Sequence, residues 1–193
     1  MSAITSARKN SEVATIDKPN LGETGQYLTF MLGGETFALG ILNIREIIQF
    51  GDLTEVPMMP KFVRGVINLR GRVVPVVDLA ARFNRTSAQV SRRTSIIIIE
   101  LEQEDPADTQ SIGIVVDAVN EVIDINAADI EPPPSFGAKI RPDFISGMAK
   151  KDGRFIIVLN LENVLSMDEM ISIGRSIQGT NDTMLEAENE SGK

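Results

Sequence analysis

The chain has 193 residues, a formal charge of −8 from 27 acidic and 19 basic side chains, and no Cys, His or Trp. Without Cys there is no disulfide framework, thiol nucleophile or thiolate zinc site, and without His no Ser-His-Asp triad, imidazole shuttle or His-carboxylate metal centre. The acidic balance argues against nucleic acid, whose phosphates need clustered Lys and Arg; carboxylate-pair and Ser-Lys chemistry stay open.

Residues 1–24 are polar, carry Pro19 and Gly22, lack apolar periodicity and read as a disordered N-terminal arm. They hold no apolar h-region of a signal peptide. The longest apolar run, Ile96-Ile97-Ile98-Ile99, is far short of the ~20 residues that span a bilayer. A cytoplasmic protein without direct membrane insertion is expected, folded over 25–173 and ending in a polar C-terminal tail, 174–193.

Within that unit short β-rich runs recur. Gln26–Leu32 leads through Gly33-Gly34, a two-residue hairpin signal, into Thr36–Gly40. Ile44–Phe50, Val63–Leu69, Val73–Val77, Ser95–Leu101, Ile112–Val116, Val119–Ile125 and Phe155–Leu159 follow. Many short strands separated by Gly and Pro predict small barrels. A doubly wound α/β fold would need amphipathic helices of ~10–15 residues between strands, and the chain has none.

The middle of the chain repeats itself. Phe62-Val63-Arg64-Gly65 through Gly71-Arg72-Val73 to Leu79 aligns without a gap on Phe144-Ile145-Ser146-Gly147 through Gly153-Arg154-Phe155 to Leu161. Upstream, Ile44-Arg45-Glu46-Ile47-Ile48 resembles Val119-Asn120-Glu121-Val122-Ile123, and each is followed by a proline segment. Two related barrels are expected, roughly 25–90 and 94–161, with strand exchange between them left open. In both copies a strand ends on an N-cap residue, Asp78 or Asn160, before a short helical pattern. Ser166-Met167-Asp168-Glu169 is a capping-box signature that predicts a terminal helix near 167–173.

The copies differ at one hairpin tip. The second has the ordinary turn Asp152-Gly153, whereas the first has Asn68-Leu69-Arg70-Gly71-Arg72, an apolar residue beside Arg, the composition of an interaction surface. Glu46 lies among apolar neighbours and shares a strand face with Ile44 by the period of two. Its carboxylate needs a partner, and Arg45, Arg64 and Arg70 are candidates. Arg64, Arg70 and Arg72 form a local basic island, and Arg82, Arg85, Arg92 and Arg93 a basic stretch that reads as a solvated loop. Asp117, Glu121 and Asp124 are a carboxylate cluster with no phosphate loop beside them. A small hydrolase built on Asp117 or Glu121 is the competing reading, and a β-barrel nucleic-acid binder the least favoured.

Gln26-Tyr27-Leu28-Thr29-Phe30, Ile44-Arg45-Glu46-Ile47, Phe62-Val63-Arg64-Gly65-Val66-Ile67-Asn68-Leu69-Arg70-Gly71, Val74-Pro75-Val76-Val77-Asp78-Leu79 and Gly113-Ile114-Val115-Val116-Asp117 together resemble the CheW family of chemotaxis coupling proteins. The resemblance runs along nearly all of 25–171. It implies an all-β fold of two intertwined SH3-like five-stranded barrels, and a non-enzymatic adaptor without cofactor, metal or catalytic residues. The implied partners are the regulatory domain of the CheA histidine kinase and the cytoplasmic tip of methyl-accepting receptors, which would recruit a free monomer to membrane arrays. The resemblance carries a partner-binding role onto Glu46, Gly65 and Arg70, with Ile44 and Leu69 as apolar contacts beside them.

Overall fold

The computed structural model describes residues 24–87, 89–101, 110–133 and 140–166. The arm up to residue 23, the tail at 174–193 and the helix expected near 167–173 lie outside the described residues. Among the described residues eleven strands form, in chain order: β1 (Thr24–Leu32), β2 (Glu35–Gly40), β3 (Ile44–Gln49), β4 (Val63–Leu69), β5 (Arg72–Asp78), β6 (Ser95–Leu101), β7 (Gln110–Val116), β8 (Ala118–Asn126), β9 (Ile130–Glu131), β10 (Ile145–Lys151) and β11 (Arg154–Leu159). Two one-turn helices, α1 (Leu79–Arg82) and α2 (Leu161–Val164), follow the predicted caps. Asp78 Oδ1 accepts from the Ala81 N–H at 3.1 Å and Asn160 Oδ1 from the Asn163 N–H at 3.2 Å.

The strands make two sheets, one ordered β8-β1-β2-β11-β10-β9 and the other β3-β6-β7-β5-β4. They are the sheets of two SH3-like barrels, but not of two contiguous stretches of chain. β1 and β2, inside 25–90, complete the sheet of the C-terminal copy; β6 and β7, inside 94–161, complete that of the N-terminal one. The division at about 90–94 therefore gives way to an exchange of hairpins. Its physical cause is a pair of parallel contacts, β2 on β11 at Phe37↔Ile157 and β5 on β7 at Val77↔Ile114. Parallel neighbours cannot be joined by a tight turn, so each barrel takes its closing hairpin from elsewhere in the chain.

The repeat is visible in the irregularities as well as in the strands. Bulges fall at equivalent places, between Val63 and Gly65 and between Ile145 and Gly147. The Asp78 N–H donates to the Phe62 carbonyl at 2.7 Å and the Asn160 N–H to the Phe144 carbonyl at 2.8 Å. Both central hairpins turn on a non-glycine residue at positive φ followed by Gly: Arg70 (φ 53) and Asp152 (φ 51).

Each barrel encloses a small aliphatic core, and the largest cluster lies between the two barrels. Val74, Val76, Ile96, Ile98 and Val115 fill one barrel; Ala38, Ile123, Ile125, Ala149, Ile156 and Val158 fill the other. Ile97, Ile99, Ile112 and Ile114 turn the opposite way, toward Leu28, Phe30, Leu32, Phe37 and Leu39. This explains the unbroken Ile96–Ile99 run: β6 is covered on both faces, so alternation has no solvent side to mark. Each of those isoleucines is at most 1% exposed, and each burial contributes about 2 kcal/mol. The rings of Phe30, Phe37, Phe83 and Phe144 run through the shared core with successive centroids 5.9 Å apart.

Arg82 does not belong to a solvated loop. It is 7% exposed, with its guanidinium carbon 5.0 Å from the Phe62 centroid and 4.7 Å from that of Phe144. Asp143, nearby, accepts from Arg141 at 2.6 Å. The hydrogen bond from Arg141, chiefly, together with the charges of Arg141 and Arg82, holds the Asp143 carboxyl below its ordinary range despite some loss of hydration. A carboxyl whose folded pKa is depressed stabilises the fold above the unfolded value and loses that contribution as pH falls through the folded one. Asp143→Asn is therefore expected to flatten the decline of melting temperature with acidification below about 3.8, which a pH series of thermal melts measures.

Candidate functional site: the Glu46–Arg70 groove

The N-terminal copy presents an open groove of about 380 Å³ at the start of β3, walled by Leu42, Ile44, Arg45, Glu46, Arg70 and Glu100. Its centre is the pair Glu46–Arg70. Arg70 stands at the apex of the β4–β5 hairpin, where Asn68 Oδ1 accepts from the Gly71 N–H at 2.8 Å. Its left-handed conformation is the one a two-residue hairpin turn requires, and Asp152 takes it in the other copy; what sets Arg70 apart is a long cationic side chain at the apex. Arg70 Nη2 donates to Glu46 Oε2 at 3.1 Å, with side-chain exposures of 74% and 22%. Of the three partners open to Glu46, the fold thus selects Arg70. Arg45 pairs with Glu100 at 2.8 Å, and Arg64 faces the buried Asp78 at 3.9 Å.

Ile44 and Glu46 do not share a face. β3 pairs with β6 through Ile44↔Ile99 and then Glu46↔Ile98, so Arg45 is an extra residue in a bulge. A bulge shifts the alternation by one. Ile44 therefore packs on the core between the barrels, and Glu46 stands on the face of Ile48, at the rim of its own barrel.

The other expected contacts lie deeper. Leu69 packs beside Ile48 and Ile67 on the barrel core, and Gly65 is buried. A Cβ built at Gly65 would stand 2.4 Å from the Thr54 carbonyl oxygen, and the residue has φ +143. The close approach at Gly65 is made by the chain's own 54–55 segment, which bridges Val66. The apolar residue the groove offers instead is Leu42, 96% exposed in the 3₁₀ turn Ile41–Asn43. No periodicity marks a single turn, so the sequence carried no signal for it. The basic island is also smaller than its composition suggested, since Arg64 and Arg70 each face a carboxylate.

Asp117 has a structural task. Its Oδ2 accepts from the Gly33 N–H at 2.7 Å, tying the β1–β2 turn to the start of β8. Backbone groups of Glu121 exchange bonds with Thr29 Oγ1. Asp117→Ala is expected to destabilise the fold by about 1 kcal/mol, the usual value of one such bond, with Asp117→Asn losing less; thermal melts check both.

A β-barrel pair that sets an exposed arginine beside a bare leucine has the composition of a docking surface. Comparison with known proteins agrees. The CheW-like domain family matches residues 26–169, and the chain belongs to that family. It is similar to the chemotaxis protein CheW of Klebsiella aerogenes, at 34% identity over 82% of this chain and 92% of the relative. CheW of Rhizobium meliloti is 31% identical over 75% of this chain and 89% of the relative. Among solved structures, the scaffolding protein TtCheW from Thermoanaerobacter tengcongensis superposes with a TM-score of 0.66 at 36% identity, covering 74% of this chain and 88% of that one. The chain is accordingly an adaptor of chemotaxis signalling, in a family of scaffolds rather than enzymes. Among the described residues no helix is long and apolar enough to cross a membrane.

Proposed function

We propose that this adaptor couples methyl-accepting receptors to the regulatory domain of a CheA-type histidine kinase, with the Glu46–Arg70 groove as one docking face. The supporting observation is the exposed Arg70 at a hairpin apex, paired with Glu46 on a surface that also bears the exposed Leu42. Arg beside an exposed apolar side chain is the composition of interface hot spots. Glu46, Arg70 and Leu42 make the contact, Ile44 backs them, and Gly65 and Leu69 hold the hairpin in place. The free protein is a monomer, recruited to receptor arrays at the membrane by docking alone.

Titration of the full chain with a receptor tip fragment and a kinase regulatory domain tests this. Binding to both, and stimulation of the kinase only when all three are present, is the expected result. Binding to neither component overturns the reading.

A further inference from the structure

Arg82 and Val164 are equivalent residues of the two copies, and they are 82 positions apart, the offset of the ungapped repeat. In the fold they meet. Arg82 Nε donates to the Val164 carbonyl at 3.0 Å. The guanidinium sits against Phe62 and Phe144, 5.0 and 4.7 Å from their centroids, and these rings are also equivalent to one another. Contact between equivalent residues, flanked by an equivalent pair, marks the pseudo-two-fold axis that relates the barrels.

On a true two-fold axis a residue meets its own copy. Two arginines there would bring two guanidiniums together at a position only 7% exposed, and like charges repel strongly away from water. Two valines would leave a void and two uncovered ring faces. The chain carries one of each. Its single charge lies against two aromatic faces and a carbonyl, and it favours the ionised Asp143 carboxyl.

The same geometry offers a competing assembly. Each barrel borrows its closing hairpin from elsewhere in the chain, so hairpins can be exchanged between copies, and two chains could then pack like barrel on like across a true axis. We propose that the unlike pair Arg82/Val164 selects the packing of the two unlike barrels within one chain and disfavours like-with-like packing between copies. This inference rests on the packing and is independent of the adaptor reading.

The full chain and three variants are refolded from denaturant at high concentration, then measured by light scattering on a sizing column and by thermal melting. The wild type is expected to return as monomer, and a predominantly dimeric wild type overturns the proposal. Arg82→Val removes the charge that penalises the like pair and is expected to raise the dimer fraction several-fold; an unchanged fraction overturns the proposal. Val164→Arg places two guanidiniums on the axis and is expected to lower the melting temperature most. The transposed double variant, Arg82→Val with Val164→Arg, restores one Arg and one Val. It is expected to recover the monomer and most of the lost melting temperature, a coupling that independent sites do not show. A double variant no better than the sum of its singles overturns the proposal. If Arg82→Val alone is insoluble, the double variant decides: recovered soluble monomer supports the axis, and continued insolubility refutes it.

Discussion

Arg70→Ala is expected to weaken receptor-dependent kinase stimulation roughly thirtyfold, the loss of an interface hot spot worth about 2 kcal/mol, while the fold survives. The guanidinium is 74% exposed and its pair with Glu46 is open to water. Exposed pairs of this kind contribute about 0.2–1 kcal/mol, so the melting temperature should fall by no more than about 4 °C. A large loss of docking with a small loss of stability separates a contact residue from a structural one. Two further variants sharpen the result. Arg70→Lys keeps the charge but not the planar fork and should lose an intermediate amount. The reversed pair, Glu46→Arg with Arg70→Glu, keeps the internal attraction and should still fail if a partner reads the sign at the hairpin apex. Stimulation unchanged in Arg70→Ala would remove this residue from the docking face.

Gly65→Ala is expected to behave in the opposite way, through the fold. The new Cβ would meet the Thr54 carbonyl oxygen at 2.4 Å and the 54–55 backbone beyond it, at a φ of +143 that side chains rarely adopt. Backbone cannot swing aside as a side chain can. A strained dihedral and an overpacked contact together cost about 3 kcal/mol or more, or roughly 10 °C in a domain of this size. Gly147→Ala, its equivalent, offers a contrast. Its Cβ would chiefly meet Ile130 Cγ2 at 2.3 Å, with the Glu131 oxygen at 2.9 Å and no positive φ. Both sites are crowded, but only Gly65 adds a strained dihedral, so the smaller drop is expected at Gly147. Calorimetry of the two variants measures the difference. A Gly65→Ala protein that melts normally yet fails to dock would return Gly65 to the contact surface.

The sequence carried nine of the eleven strands of the described residues, with turns and caps, because these are local; β9 and β10 were not among the runs it marked. Short β-rich runs give the strands, Gly33-Gly34 and Asp152-Gly153 the turns, and Asp78 and Asn160 the helix starts. The duplication was legible for the same reason: equal spacings impose equal bulges and equal caps. It also singled out Glu46 and Arg70, the first as a lone carboxylate in an apolar strand and the second as a difference between the copies.

Other features could not be read from spacing. The bulge at Arg45 separates Ile44 from Glu46, because an extra residue in one strand is defined only against its partner. The exposure of Leu42 and the partial burial of Leu69 depend on which barrel core each approaches. Arg82 looked like part of a charged loop, and it is a core residue because its equivalent, Val164, lies across the axis. The chain alone determined that there are two barrels, and where their turns fall. Which hairpin closes which barrel, which arginine faces Glu46 and which arginine is buried were decided by tertiary packing, through parallel pairings and contacts between residues dozens of positions apart.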